Sequence, residues 1–149
     1  MSARLLVVDD EQSMCVALHG LFSARGYEVT TAASAEEAIE QLSAVPAQLV
    51  VTDLSLPKMS GMELLKWIRA NAPDTAVVLL TAYGSERIAV EAMKLGASDY
   101  LAKPFDNDEL ELVVERALED IGLRREVHRL RAELVGRYRD VRQFLYELE

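Results

Sequence analysis

Five short apolar runs alternate with five amphipathic stretches along this chain, and that alternation limits the folds open to it more than any other feature. Residues 5–8, 27–31, 49–52 and 77–80 and the segment Asp99–Ala102 read as strands, each apolar or β-branched and only four or five residues long. Residues 14–22 place Met14, Ala17, Leu18, Leu21 and Phe22 at helical spacing, and Gly26 ends that helix. Ser34 followed by Glu37 is a capping-box pattern that opens a second helix, with Ala35, Ala38, Ile39 and Leu42 inward and Pro46 closing it. Further helices are expected over 61–70, over 85–95 up to Gly96, and from Asn107 almost to the end. Strict strand–helix alternation implies an α/β fold: a five-stranded parallel sheet with right-handed crossovers and helices on both faces. In such sheets a ligand site lies beyond the carboxyl ends of the strands. The residues just after each strand are therefore the ones that matter for chemistry.

Those positions hold a specific set. Asp9 and Asp10 follow the first strand, Asp53 ends the third, Thr81 the fourth, and Lys103 with Pro104 the fifth. Three carboxylates converging in one cleft repel, so some protonate or a hard divalent cation neutralises them. Mg2+ suits such a site, because it takes oxygen ligands, uses one or two carboxylates directly and keeps several waters. Beside it one carboxylate can attack phosphorus, with Lys103 as a point charge and Thr81 as a hydroxyl donor to the phosphoryl oxygens. The product would be an aspartyl phosphate. Each residue has a plainer reading: Asp9 and Asp10 as acids at a helix N-terminus, Asp53 as a turn residue, Lys103 as a surface charge. Taken together, those readings do not explain why Asp, Asp, Thr and Lys all fall at strand ends.

Four segments carry a family resemblance: VVDDE at 7–11, DLSLPKMSG at 53–61, LLTAYG at 79–84 and DYLAKPF at 99–105. At these spacings the chain resembles the receiver domain of two-component response regulators, over about residues 3–120, which implies a flavodoxin-like doubly wound sheet. The resemblance implies that Asp53 accepts a phosphoryl group from a sensor histidine kinase. It implies that Asp9, Asp10, Asp53 and the backbone carbonyl of Ser55 hold Mg2+. It further implies that Thr81 and Lys103 meet the phosphoryl group, that Tyr100 switches rotamer with Thr81, that Ala82 leaves room, and that the peptide bond before Pro104 is cis. Ser55 and Tyr83 lie at positions that tune dephosphorylation in the family. Beyond phosphorylating and dephosphorylating itself, such a domain is not an enzyme. A phosphatase of similar topology with an Asp nucleophile is the rival from another class. Such enzymes place that Asp after the first strand and carry a cap, for which this chain has no room. An adaptor with a silent receiver is a third reading.

The segment 82–119 and the leucine- and arginine-rich stretch after it resemble the sigma-54-dependent, nitrogen-regulatory class of response regulators. In that class an ATPase domain and a helix-turn-helix domain follow the linker. These 149 residues contain no Gly-x-x-x-x-Gly-Lys-Ser/Thr phosphate loop, so both output domains are expected to be absent from this chain. Composition shifts after about Asp120, where the acidic chain becomes arginine-rich over residues 124–142. The expected organisation is a receiver over 1–120 and a helical coiled-coil linker over 121–149. Val127, Leu134, Val141 and Leu148 recur every seven residues, with Leu130 and Phe144 on the second seam and Arg137 interrupting it. Leu110, Val114, Ala117 and Ile121 form a stripe in another phase, so the seam shifts near Gly122. So narrow a stripe favours a homodimer through residues 107–148 over a helix folded back on its own domain. The alternative to a transcriptional output is a stand-alone receiver acting by protein–protein contact through that tail.

The remaining features exclude rather than assign. A net charge of −9, from 25 acidic and 16 basic residues, argues against direct nucleic-acid binding by this chain. One cysteine, Cys15, rules out an internal disulfide, suits a cytoplasmic protein, and reads as a small buried apolar residue. No apolar run reaches the ~20 residues of a membrane span, and the N-terminus is not a signal peptide. His19 and His128 are isolated, and Met59, Met62 and Trp67 read as packing.

Overall fold

A computed structural model describes residues 3–82 and 86–147, the side chains of 124, 125, 128 and 137–147 excepted. Strands and helices alternate: β1 (Arg4–Val8), α1 (Gln12–Ala24), β2 (Glu28–Ala32), α2 (Ala35–Ala44), β3 (Leu49–Asp53), α3 (Gly61–Asn71), β4 (Ala76–Thr81), α4 (Glu86–Lys94), β5 (Asp99–Ala102) and α5 (Asn107–Glu147). The strands form one parallel sheet in the order β2-β1-β3-β4-β5. This is the flavodoxin-like doubly wound order, whose switch point lies between β1 and β3. The chain divides into two compact units, Met1–Leu118 and Glu119–Glu149.

Burial explains why the apolar runs become strands. All five residues of β3 and all six of β4 are buried, as are the last four of β1. These central strands have helices over both faces, so a continuous apolar run suits them better than alternation. Edge strand β2 does alternate, with Glu28 and Thr30 outward. Each Leu or Val fully buried in the sheet contributes about 1.5–3 kcal/mol.

The caps follow the sequence closely. Ser34 Oγ accepts the Glu37 N–H at 3.1 Å, and Glu37 Oε2 reaches back to the Ala33 N–H at 3.0 Å. Ser60 caps α3 in the same way through the Glu63 N–H. Gly26 and Gly96 take φ of +91° and +107°, the left-handed turn that ends α1 and α4. Most boundaries differ from the expected ones by one or two residues, and two have a clear physical reason. Helix α1 begins at Gln12, two residues before the apolar pattern, because Gln12 and Ser13 are exposed and polar and so carry no apolar signal. Strand β2 is shifted one residue onward: Tyr27 packs edge-on against Phe22 and Ala32 fills the buried end. Residues Tyr83 and Ser85 and the side chains of His128, Arg137, Val141, Phe144 and Leu148 lie outside what is described.

Candidate functional site

The sheet brings the predicted residues to one edge. In register, Val8 pairs with Thr52, Asp53 with Leu80, and Thr81 with Ala102. Asp9, Asp53, Thr81 and Lys103 therefore leave the sheet side by side, at the β1/β3 switch point and beyond it. Oxygens of Asp9, Asp10 and Asp53 lie within 4.8 Å of one another. Asp9 is 1% exposed and Asp53 8%, whereas Asp10 faces solvent.

Lys103 closes the group. Its Nζ lies 2.8 Å from Asp53 Oδ2 and 3.3 Å from Asp9 Oδ2. The other oxygens are held by backbone: Asp9 Oδ1 accepts the Glu11 N–H at 2.9 Å and Asp53 Oδ1 the Ser55 N–H at 3.0 Å. Neither Asp9 nor Asp10 caps α1, whose N-cap is Glu11 with no side-chain bond. Asp9 bonds the backbone at the start of α1 through one oxygen and turns its second oxygen to Lys103, so it serves both the helix end and the pocket.

Burial pushes the Asp9 carboxyl above its ordinary range. The Asp53 charge adds to that, while the Glu11 N–H and Lys103 only partly oppose it. Burial by itself would lower Lys103, but its bond to Asp53 and the charges of Asp53 and Asp9 outweigh that and hold it up. When all three carboxylates are ionised, three negative charges face one ammonium, leaving two uncompensated. A small divalent cation with oxygen preference matches that deficit in charge and in donor type.

Thr81 is buried, and its Oγ1 has no hydrogen-bond partner among the described residues. A buried hydroxyl without a protein partner is uncommon, and it leaves Thr81 with an unused donor at the end of β4. The Thr81 carbonyl accepts the Lys103 N–H at 2.8 Å, so the two residues are also tied through backbone. Tyr100, on β5, is half-buried against the core. The Lys103–Pro104 bond is cis, as the family resemblance implied. Beside Lys103 runs an open groove of ≈ 570 Å³, lined by Ala82, Pro104 and apolar Met14, Leu18 and Phe105.

Two contributors escaped the sequence reading. Gly61 was legible only as a helix start, yet a β-carbon there would sit 2.3 Å from the Asp53 carbonyl oxygen and 2.7 Å from Leu54 Cα. Helix α3 thus abuts the end of β3 through a residue that must lack a side chain. Glu36, on α2, accepts the Met59 N–H at 3.1 Å across the β3–α3 loop. The glycine had a signal in its place eight residues after Asp53; the glutamate had none, because its partner is a backbone group. Cys15 is buried, with Sγ 3.3 Å from the Asp9 carbonyl oxygen.

The response regulator receiver domain family matches residues 5–115. The chain belongs to that family. Regulatory protein AtoC of Escherichia coli is 37% identical to this receiver over 131 residues, 88% of this chain and 28% of AtoC. Transcriptional regulatory protein ZraR of the same species is 44% identical over 114 residues, 76% of this chain and 26% of ZraR. Among solved structures, NtrX from Brucella abortus superposes with a TM-score of 0.83 at 39% identity, over 87% of this chain and 30% of NtrX. A receiver domain protein from Clostridium thermocellum gives 0.77 at 35% identity, over 81% of this chain and 98% of that one. The receiver chain thus spans less than a third of the curated relatives AtoC and ZraR. Among the described residues no helix is long and apolar enough to cross a membrane.

Proposed function

We propose that this receiver is a phosphorylation switch with Asp53 as the acceptor, and that a sensor histidine kinase is the donor. The observation that carries this is Lys103 Nζ bound to both Asp53 and Asp9, in a pocket where Asp10 completes a three-carboxylate cluster. Asp9, Asp10, Asp53 and the Ser55 carbonyl would hold Mg2+, which supplies charge neutralisation for the incoming phosphoryl oxygens. A carboxylate oxygen of Asp53 bonds to phosphorus as the phosphorus–nitrogen bond of a phosphohistidine breaks, and the freed imidazole takes up a proton. Lys103 shifts from the bare carboxylate to the new phosphoryl group. Thr81 donates its unpartnered hydroxyl to the same group. Movement of Thr81 leaves space that Tyr100 fills, and the surface formed by residues 85–105 changes with it.

The output is the second part of the reading. Residues 1–120 act as the receiver and 121–149 as a coiled-coil linker. Leu123, Val127, Leu130 and Leu134 form a heptad seam that is 45–65% exposed, which favours pairing with a second copy of the chain. The upstream stripe is different: Leu110, Val114 and Ala117 are buried in the receiver core. Dimerisation is therefore assigned to the part of α5 after residue 122. The relatives' names as regulators, together with the resemblance over 82–119, favour control of transcription in the cytoplasm through ATPase and DNA-binding domains of the sigma-54-dependent class. The exposed seam equally serves a stand-alone receiver that dimerises and acts by protein contact. In neither case does this chain itself bind nucleic acid or turn over an external substrate.

The test is incubation with a small phosphodonor and Mg2+, read by intact-protein mass. Wild type gains one phosphoryl group and Asp53→Asn gains none. Equal labelling of the two would remove the assignment, and catalytic turnover of a phosphate ester would favour the phosphatase reading instead.

A further inference from the structure

The loop between β3 and α3 carries Ser55, the residue whose carbonyl is assigned above to the metal. The ends of this loop are pinned. Leu54 donates its N–H to the Leu80 carbonyl at 2.9 Å, and Gly61 donates its own to the Leu54 carbonyl at 2.9 Å. The side chains of Leu54 and Leu56 are buried, and Ser60 caps α3. The middle is not held this way. Pro57 and Lys58 are exposed, and Lys58 has φ +64°, the one left-handed non-glycine among the described residues. A residue with a β-carbon keeps that conformation only where its surroundings hold it. The next residue supplies the hold: Met59 N–H donates to Glu36 Oε1 at 3.1 Å, across 23 residues of chain.

Glu36 is free to do this because its helix does not need it. The first turn of α2 is capped by Ser34 Oγ and by Glu37, whose two oxygens take the Ala33 N–H and Gln41 Nε2. Glu36 points instead to another element, as a charged acceptor for a backbone donor, which is a stronger bond than a neutral one.

We propose that Glu36 is a positioning residue for the metal site: it clamps Met59, keeps Lys58 in its left-handed turn, and so presets the loop that presents the Ser55 carbonyl. This rests on the function proposed above. Without the clamp the loop samples other conformations, and metal binding has to select the competent one, which weakens apparent affinity by that population. The competing role is an acid in the first turn of α2 that only favours the helix dipole.

The experiment uses the whole chain. Mg2+ titration is followed by fluorescence of Trp67, on α3, and amide exchange at Met59 is measured without metal. Glu36→Ala is expected to weaken Mg2+ binding roughly fivefold and to speed Met59 exchange, while Glu36→Gln, which keeps an acceptor oxygen, stays within about twofold of wild type in both. Unchanged Met59 exchange in Glu36→Ala overturns the proposal, and so does faster exchange with unchanged Mg2+ affinity. Equal loss of thermal stability in both variants with Mg2+ affinity intact assigns Glu36 to the helix dipole alone. Absence of Mg2+ binding in the wild type overturns the metal reading itself, a failure distinguishable from the others because it precedes any substitution.

Discussion

At the scale of single residues, the site pairs its buried carboxylates with Lys103 and backbone N–H groups but leaves one buried hydroxyl unpaired. Thr81 Oγ1 is buried without a partner among the described residues, so its hydroxyl contributes little to the resting fold. Thr81→Val is therefore expected to leave thermal stability unchanged or raise it by up to about 1 kcal/mol. The same variant should lower the rate of Asp53 phosphorylation at least tenfold (~1.4 kcal/mol) if the hydroxyl meets the phosphoryl group only as it transfers. Melting and labelling rates measured on one preparation separate the two effects. Gly61 behaves in the opposite sense. A methyl group there meets backbone at 2.3 Å, not the far end of a flexible side chain. Gly61→Ala should destabilise the receiver by about 1–3 kcal/mol in urea unfolding, since the end of β3 or the start of α3 must move. That Asp9, Asp10, Asp53, Thr81 and Lys103 gather at one edge of the sheet could be expected from sequence, because each falls at or just after a strand end. The contact of Glu36 could not, because its partner is a backbone group 23 residues away, and neither could the steric demand on Gly61, because it depends on how closely α3 approaches the end of β3.

At the scale of elements, α5 combines two periodicities in one helix. Its first part is read by burial: Leu110, Val114 and Ala117 lie in the core. Its later part has Leu123, Val127, Leu130 and Leu134 at alternating spacings of four and three, all exposed. With Val127 and Leu134 as one seam and Leu123 and Leu130 as the other, the flanking positions are Glu119, Glu126 and Glu133 on one side and Arg124 and Arg131 on the other. In a parallel pair the first set faces the second, so Glu126 meets the partner's Arg131. In an antiparallel pair like faces like. Glu126→Arg should therefore weaken the dimer about tenfold in sedimentation, and adding Arg131→Glu should restore it. A Glu126→Arg chain that dimerises more tightly than wild type would indicate the antiparallel arrangement. Part of any loss is local, because Arg129 bonds Glu126 at 2.6 Å and Glu133 at 2.7 Å within the helix. Arg131→Glu alone leaves that pair intact and so controls for it. The shift in phase near Gly122 was legible in sequence; which stripe is buried was not, since both are equally apolar.

At the scale of the whole molecule, the acidic pocket couples stability to pH through Asp9. The Asp9 carboxyl titrates above its unfolded value of about 3.8. The native state thus holds that proton more tightly than the unfolded chain, and metal-free stability falls as pH rises across the interval between the two values. Mg2+ bound there would reverse this by favouring the ionised pocket. At a hundredfold excess over its dissociation constant it should add ~2.7 kcal/mol, roughly 10 °C in melting temperature at neutral pH. That gain should shrink as pH drops through the Asp9 pKa and vanish with a chelator. A melting temperature indifferent to Mg2+ at neutral pH would exclude the three-carboxylate site. The alternation of elements, the capping box of α2, the glycine stops and the acidic, hydroxyl and lysine groups at strand ends could be read from the chain alone, because local periodicity and residue chemistry set them. The three-dimensional arrangement was needed to show that Lys103 spans Asp53 and Asp9, that α3 presses its glycine against Asp53, and that Glu36 reaches the β3–α3 loop. Each of those depends on how elements pack in space, and close packing leaves no periodic trace in a chain.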